Sequence, residues 1–220
     1  MQPSFRPPVP RAASIEGPVG PLEARLEDPS PGQRPPACGV VCHPHPLYGG
    51  TMQNKVVHTL ARAMQELGVP TVRFNFRGVG ASAGRYDAGV GELEDALAVC
   101  AWARRHWDCE ALWLAGFSFG SAVALPAAAV AGPAMLVTVA PPVGRIIVSP
   151  VARPACPWLV VQGDHDELVD VTTVRRWVGE FQRPPQLVVL PGAEHFFHGR
   201  LAELRAAVAA FLSAPGAIGT

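Results

Sequence analysis

Short apolar runs alternate along this chain with segments of helical spacing, and this alternation constrains the fold more than any other feature. Helical spacing predicts helices at 51–68, 91–107, 118–130, 171–181 and 200–213. Runs rich in β-branched residues predict strands at 38–43, 71–76, 111–116, 134–140, 158–163 and 186–190. Strands that are apolar throughout and separated by helices form parallel sheets covered on both faces. We therefore expect an α/β protein with a mostly parallel central sheet.

The length of 220 residues fits one domain, and no internal repeat is visible. Residues 1–12 carry four prolines and little periodicity, which predicts a flexible N-terminal arm. A weak strand or pair of strands is expected near 13–27, followed by a turn-rich connector at 28–36. Residues 13–220 are predicted to form the single domain.

The charge balance argues against large polyanionic partners. With 18 basic and 18 acidic residues, the formal net charge is zero, so we expect no binding to nucleic acid or to a membrane surface. No apolar run reaches the roughly 18 residues of a membrane span, and the N-terminus lacks the apolar core of a signal peptide. The partner is expected to be a small molecule. An odd, scattered set of cysteines predicts reduced thiols in the cytoplasm: Cys38, Cys42, Cys100, Cys109 and Cys156.

The segment Gly116-Phe117-Ser118-Phe119-Gly120 fits the pattern G-x-S-x-G at the passage from a predicted strand to a predicted helix. A nucleophilic serine needs this context, because it must occupy a sharp, strained turn that small flanking residues allow. The alternative is a helix N-cap serine followed by packing glycines. A serine hydroxyl reacts only when a base removes its proton, so the nucleophile hypothesis requires an acid and a histidine downstream.

Candidates for the acid follow the predicted strand 158–163, in GDHDELVD. Asp164 directly follows the strand and suits a turn, whereas Asp170 precedes VTTVRRW and suits a helix N-cap. Asp166 lies in the middle of the loop. We therefore favour Asp166 as the acid, with Asp164 as the alternative.

Two histidines follow the predicted strand 186–190, in PGAEHFFHGR. His195 lies in the loop, where its imidazole can reach over the strand ends, while His198 lies closer to the last helix. His195 is favoured as the base over His198, and a surface role is the alternative for either. The chain then has serine, acid and histidine in the order that this architecture requires.

The loop CHPHPLYGGTM, 42–52, follows the strand that should supply a backbone donor to a developing oxyanion. Its two prolines have no N–H, which leaves His45, Leu47 or the later Tyr48 as donors. We favour Leu47 over His45. The amide of Phe119 should supply the other N–H, at a helix N-terminus that favours negative charge.

The sequence Cys42-His43-x-His45 also contains residue types that bind zinc. It lacks a matching cluster of ligands downstream, and side chains at a strand end alternate between opposite faces. We therefore expect neither a metal nor a cofactor. His43 is expected to anchor the loop by hydrogen bonds.

Five segments together resemble the small, lidless serine hydrolases of the α/β-hydrolase superfamily: CHPHPLYGGTMQNKVV, RFNFRGVGASAGRYDAGVGELED, GFSFGSAVA, VQGDHDELVD and PGAEHFF. The resemblance covers about 15–213 and implies a single-domain α/β-hydrolase fold without a lid domain. It also implies an esterase-like activity with Ser118, Asp166 and His195 as the triad. The common H-G-G-G form of the oxyanion loop is replaced here by HPHP.

In that family the segment 73–87 lies near the mouth of the site. Arg77 is expected to form a structural ion pair, and the alternative is that it positions the loop or a substrate carboxylate. Gly78, Gly80 and Gly84 are expected to serve turns.

The expected reaction is hydrolysis of a carboxylic ester through an acyl-enzyme. Only seventeen residues, five of them proline, separate the strands ending near Ala140 and beginning at Trp158, so no helical cap is expected there. Peptide, thioester or lactone hydrolysis and acyl transfer use the same triad and stay open, as does a non-catalytic binding scaffold. The oligomeric state is expected to be a monomer or a homodimer.

Overall fold

The computed structural model describes residues 9–29, 35–147 and 152–214. Residues 1–8, which make up most of the arm expected at 1–12, lie outside this part. The strands are β1 (Arg11–Gly17), β2 (Gly20–Glu27), β3 (Ala37–Cys42), β4 (Thr71–Phe74), β5 (Ala111–Phe117), β6 (Met135–Val139), β7 (Trp158–Gly163) and β8 (Gln186–Leu190). The helices are α1 (Lys55–Gln65), α2 (Val90–Trp107), α3 (Phe119–Ala131), α4 (Val171–Gly179) and α5 (Leu201–Leu212).

The strands form a single sheet in the order β1-β2-β4-β3-β5-β6-β7-β8. The pairings from β4 through β3 to β8 are all parallel, while β1 with β2 and β2 with β4 are antiparallel. The mostly parallel sheet expected from the sequence is therefore present. Its carboxyl-end edge, where open α/β sheets bind ligands, gathers the loops that follow β3, β5, β7 and β8.

Helices cover both faces of the sheet, as the continuous apolar strands require. On one face, α2, α3 and α4 pack on side chains such as Val40 and Leu114. On the other face, α1 and α5 pack on the alternating partners Val41 and Ala115. Side chains of successive strand residues point to opposite faces, so every central strand is buried on both sides.

The first helix is shorter than the helix expected at 51–68. Its N-cap is Asn54, whose side chain accepts a hydrogen bond from the amide of Val56, and it ends at Gln65. Helical spacing in the flanking residues therefore overestimated its length. The Asn54 carboxamide satisfies one of the amide groups left free at a helix start, which fixes the boundary.

The weak strand or pair expected near 13–27 is a regular antiparallel hairpin, β1 and β2. A buried ion pair ties it to the sheet. Arg73 of β4 donates two hydrogen bonds to Glu27 of β2, and the two side chains are 1% and 3% exposed. Since neither charge reaches water, each needs the other.

The described residues between β6 and β7, 141–147 and 152–157, contain no helix. This agrees with the absence of a helical cap expected there. Across the described part of the chain, no helix combines the length and the apolar character needed to cross a bilayer.

Candidate active site

Ser118 lies at the sharp turn between β5 and α3. Its backbone has φ 52° and ψ −118°, a conformation that a residue with a Cβ rarely adopts. The flanking glycines make room for this turn. A Cβ on Gly116 would lie 2.2 Å from the carbonyl oxygen of Gly120, and a Cβ on Gly120 would lie 2.3 Å from that of Cys42. The turn therefore presents the partly exposed Ser118 side chain at the carboxyl edge of the sheet.

Ser121, which was not identified from the sequence, stabilises this turn from the interior of the protein. Its fully buried hydroxyl lies 2.8 Å from the carbonyl oxygen of Gly116 and accepts a hydrogen bond from the amide of Val139 at 3.1 Å. The amide of Ser118 itself donates to the carbonyl of Val139 at 2.9 Å. The strained turn is thus tied to the neighbouring strand β6. A hydroxyl three residues after the serine was the available signal.

The three side chains favoured from the sequence meet above this turn. His195 Nε2 lies 3.1 Å from Ser118 Oγ, and His195 Nδ1 lies 2.8 Å from Asp166 Oδ2. The imidazole is 2% exposed and packs between the rings of Phe117 and Phe196. The ring is therefore held in one orientation, with one nitrogen toward the hydroxyl and the other toward the carboxylate.

Asp166 is held by four hydrogen bonds. Besides the bond with His195, it accepts bonds from the amides of Leu168 and Val169 and from the side chain of Gln162. Burial opposes the charged carboxylate, but the bonds from His195 and the two amides outweigh it and lower the pKa of Asp166. The carboxylate is therefore ionised at neutral pH and can stabilise charge on the imidazole.

Gln162 was also missed from the sequence. It is a fully buried amide in the otherwise apolar strand β7, and its Nε2 donates to Asp166 Oδ2 at 2.8 Å and to the carbonyl of Val169 at 3.0 Å. A polar residue inside a continuous apolar strand was the signal, because a buried amide requires partners.

The competing candidates from the sequence have other contacts. Asp164 accepts a hydrogen bond from the amide of Gly192, and Asp170 caps α4 by accepting from the amide of Thr173. His198 is exposed and faces Glu194 at 3.5 Å, away from the hydroxyl of Ser118. None of the three replaces Asp166 or His195 in the hydrogen-bonded chain.

In the loop after β3, one of the expected oxyanion donors already has a hydrogen-bond acceptor. Leu47 N–H, favoured above as an oxyanion donor, donates to Nδ1 of the His45 ring at 3.2 Å. Among the described residues, the amides of His45 and Phe119 have no protein acceptor. Of the three candidate donors, Leu47 N–H and Tyr48 N–H are therefore engaged within their own loop, which leaves the amide of His45.

Two histidine rings shape this loop. His43 is fully buried; its Nδ1 lies 2.6 Å from the carbonyl oxygen of Pro44, and its Nε2 accepts from the amide of Phe76. Burial lowers the pKa of His43 to about 4, against the opposing effect of the Pro44 bond. The expected anchoring role of His43 is confirmed.

The ring of His45 stands at the rim of the site. It accepts from Leu47 N–H, and its Nε2 lies 3.2 Å from the hydroxyl of Tyr86, a contact that the sequence did not indicate. Its centroid lies 4.9 Å from that of Phe119. Partial burial lowers the pKa of His45, which keeps the ring neutral at neutral pH. A neutral ring satisfies both contacts at once.

Arg77 has the structural role favoured above. It is 5% exposed and donates to Asp95 from Nε and from Nη2, and Nη2 also lies 3.2 Å from Glu94. The hydrogen bonds that Arg77 donates to Asp95 come first among the contacts that raise its pKa. Its guanidinium is therefore committed to α2, and a Cβ on Gly91 would lie 1.9 Å from it.

A cleft of about 540 Å³ lies over Ser118 and His195. We call it the cleft below. Its lining combines polar groups, such as Asn54 and His45, with apolar side chains. Tyr48, Ile146 and Leu168 line it while being 86%, 42% and 40% exposed. The arrangement can hold an apolar molecule with one reactive polar centre over the serine.

Comparison with known families gives a consistent picture. A model of the alpha/beta hydrolase domain family matches residues 48–208. The chain is also 33% identical over 209 residues to a protein of Rickettsia prowazekii, covering 90% of this chain and 87% of the relative.

Two solved structures are close in sequence as well as in shape. A serine hydrolase without a lid from Xanthomonas campestris is 46% identical, with a TM-score of 0.87 and 96% of each chain covered. An alpha-beta serine hydrolase homologue from Coxiella burnetii is 49% identical with the same TM-score of 0.87, covering 96% of this chain and 100% of its own.

Proposed function

This chain belongs to the alpha/beta hydrolase family, and from that premise we propose that it is a serine hydrolase that cleaves carboxylic esters. Ser118 is the nucleophile, His195 the general base and Asp166 the acid that orients it. The observation that carries the proposal is the hydrogen-bonded chain from Ser118 Oγ through both nitrogens of His195 to Asp166. It starts at a strained turn between a strand and a helix.

The first half-reaction forms an acyl-enzyme. Ser118 Oγ attacks the ester carbonyl carbon while His195 Nε2 accepts the hydroxyl proton. The imidazolium that results is stabilised by the Asp166 carboxylate on Nδ1. As the bond between carbonyl carbon and alcohol oxygen breaks, His195 gives its proton to that oxygen, and the alcohol leaves.

Negative charge develops on the carbonyl oxygen in this step, and backbone amides must stabilise it by hydrogen bonds. We assign the two donors to the amides of Phe119 and His45, because both lack a protein acceptor among the described residues. Phe119 is the first residue of α3, so the helix dipole adds to its effect. On this assignment Leu47, the donor favoured from the sequence, is not one of the oxyanion donors.

Water completes the cycle. It gives a proton to His195 Nε2 as it attacks the acyl carbon, and the proton returns to Ser118 Oγ when the acid is released. With no helix in the described residues between β6 and β7, water reaches the acyl-enzyme through the cleft.

We also propose that the enzyme acts in a reducing compartment, the cytoplasm. None of the five cysteines, all of which lie in the described residues, forms a disulfide, and a chain of this size gains its stability from its core. The partner is a small-molecule ester rather than nucleic acid, and the enzyme acts as a monomer or a homodimer.

Replacement of the nucleophile tests the proposal. We expect Ser118→Ala to lower kcat for p-nitrophenyl ester hydrolysis by about 10⁴-fold or more. The matched control is Ser14→Ala, which removes an exposed hydroxyl on β1 and should keep wild-type rates. Wild-type protein, but not Ser118→Ala, should be labelled by a fluorophosphonate probe.

Three outcomes would refute this function. Ser118→Ala with activity within tenfold of wild type would exclude the nucleophile, and an unlabelled wild-type chain would point to a binding scaffold. Esters, thioesters and anilides of the same acyl group should be compared on the wild type. A higher kcat/KM for the thioester or the anilide would contradict ester hydrolysis as the activity.

A further inference from the structure

A second cavity, about 440 Å³, adjoins the cleft. It runs along α3 beside the start of α2, and we call it the acyl groove. Phe119 and Ile146 line both cavities. Since Phe119 also directly follows the nucleophile Ser118, the acyl groove adjoins the candidate site close to the reacting serine.

The lining of the acyl groove is apolar throughout its described residues. Val90 and Leu93 of α2 face Ala122 and Pro126 of α3 across it. Among the described residues that line it, no side chain carries a charge or a hydrogen-bonding group. Such a surface cannot select a polar ligand, but it can bind hydrocarbon.

Two of the lining side chains are largely exposed to solvent. Val90 is 68% exposed and Ile146 is 42% exposed, so part of the apolar surface of the groove is left without a protein partner. Together with the exposed Tyr48 and Leu168 at the cleft, these residues form apolar surface along the cleft and the adjoining groove. Apolar surface gathered around a site marks where an apolar ligand loses its water.

The chemistry of the reaction assigns the two ends of the ester. His195 must protonate the leaving alcohol, so the alcohol lies on the His195 side of the cleft, beside Phe196 and Leu168. The acyl groove contains no residue from the loops after β7 or β8. The acyl group, which becomes bonded to Ser118, is therefore the part of the ester that faces Phe119 and the groove.

We propose that the acyl groove binds the hydrocarbon chain of the acyl group, so that the substrates are esters of extended apolar acids. This inference rests on the proposed function. The groove follows α3 from Phe119 to Pro126, which at 1.5 Å per residue is about 10 Å of helix. An acetyl group ends in the cleft, whereas a long acyl chain passes Phe119 and Ile146 and loses its water in the groove.

The experiment compares chain lengths on the wild type and on variants. We expect kcat/KM for p-nitrophenyl esters to rise from acetate to decanoate, by up to about fourfold for each methylene that leaves water. Ala122→Phe fills the groove, and we expect the ratio of decanoate to acetate kcat/KM to fall by about tenfold or more. Val130→Phe is the control on the same helix, because Val130 is 71% exposed and outside the groove; its ratio should equal that of the wild type.

A second variant covers the case that Ala122→Phe does not fold. Val90→Asp places a charge at the exposed edge of the groove, where it adds an acid to the first turn of α2 and does not disturb the core. It should lower the same ratio, with Val130→Asp unchanged.

Failure of this inference is distinguishable from failure of the proposed function. Hydrolysis of acetate with no rise along the acyl series, or an unchanged ratio in both groove variants, would overturn the groove and leave the esterase intact. A rise along a series of acetates of long alcohols, in place of the acyl series, would assign the groove to the leaving group and also overturn it. No hydrolysis of any ester would overturn both.

Discussion

His43 shows how much one side chain contributes to the shape of the site without reacting. Its two ring nitrogens join the carbonyl of Pro44 to the amide of Phe76, so the loop after β3 is held against the segment after β4. The bonds need one nitrogen with a proton and one without, which is the neutral ring. The fold therefore depends on His43 staying uncharged.

This requirement predicts a specific pH dependence of stability. Burial lowers the pKa of His43 from 6.5 to about 4 in the folded chain. Between these values the unfolded chain binds the extra proton, so the free energy of unfolding decreases as the pH falls from 6.5 to 4. Above pH 6.5 the ring is neutral in both states and no stability is lost. At pH 4 the loss in the free energy of unfolding reaches about 3 kcal/mol.

Denaturant titrations of wild type and His43→Asn from pH 7 to pH 4 measure this effect. The stability advantage of the wild type should shrink by about that amount over the range, because Asn has no proton to take up. A difference in unfolding free energy that stays constant with pH would contradict the neutral, buried ring.

Among the elements, the loop 42–50 is the one whose role was least predictable from its sequence. The prolines in HPHP limited the donors to a few amides, but the choice between them depended on where the His45 ring lies. That ring accepts a hydrogen bond from the Leu47 amide, and its other nitrogen contacts the hydroxyl of Tyr86, which is far away in the sequence. A contact of this kind leaves no local pattern.

A proline substitution in this loop tests the assignment of the donor. His45 has φ −54°, which proline adopts without strain, so His45→Pro removes the amide proton while keeping the backbone. Against His45→Ala, which keeps the amide, we expect a loss in kcat of about 100-fold or more. A kcat of His45→Pro within tenfold of that of His45→Ala would contradict the assignment of the donor to His45.

At the scale of the whole molecule, the alternation of strands and helices was readable from the sequence because a doubly covered sheet buries its strands on both faces. The positions of Ser118, Asp166 and His195 at strand ends were readable for the same reason. The exact ends of the helices and the supports Ser121 and Gln162 were not. They depend on individual side-chain hydrogen bonds, such as the one between Gln162 and Asp166, which the pattern of apolar residues does not encode.

The open edge of the sheet predicts simple behaviour at lipid surfaces. The described residues between β6 and β7 form no helix that would have to move to admit a substrate. We therefore expect the rate of ester hydrolysis to follow substrate concentration smoothly through the solubility limit. Rates on an ester dispersed as an emulsion provide the measurement. An abrupt increase once droplets form would show that the access to the cleft is gated.

The backbone shape at Ser118 has a consequence for how such a chain can evolve. Glycine would adopt the backbone conformation at Ser118 with less strain than serine. The residue that performs the chemistry therefore also lowers the stability of the fold. Selection for stability alone would therefore replace the serine by glycine. Because the serine costs stability, its retention at this turn indicates that the hydroxyl is used.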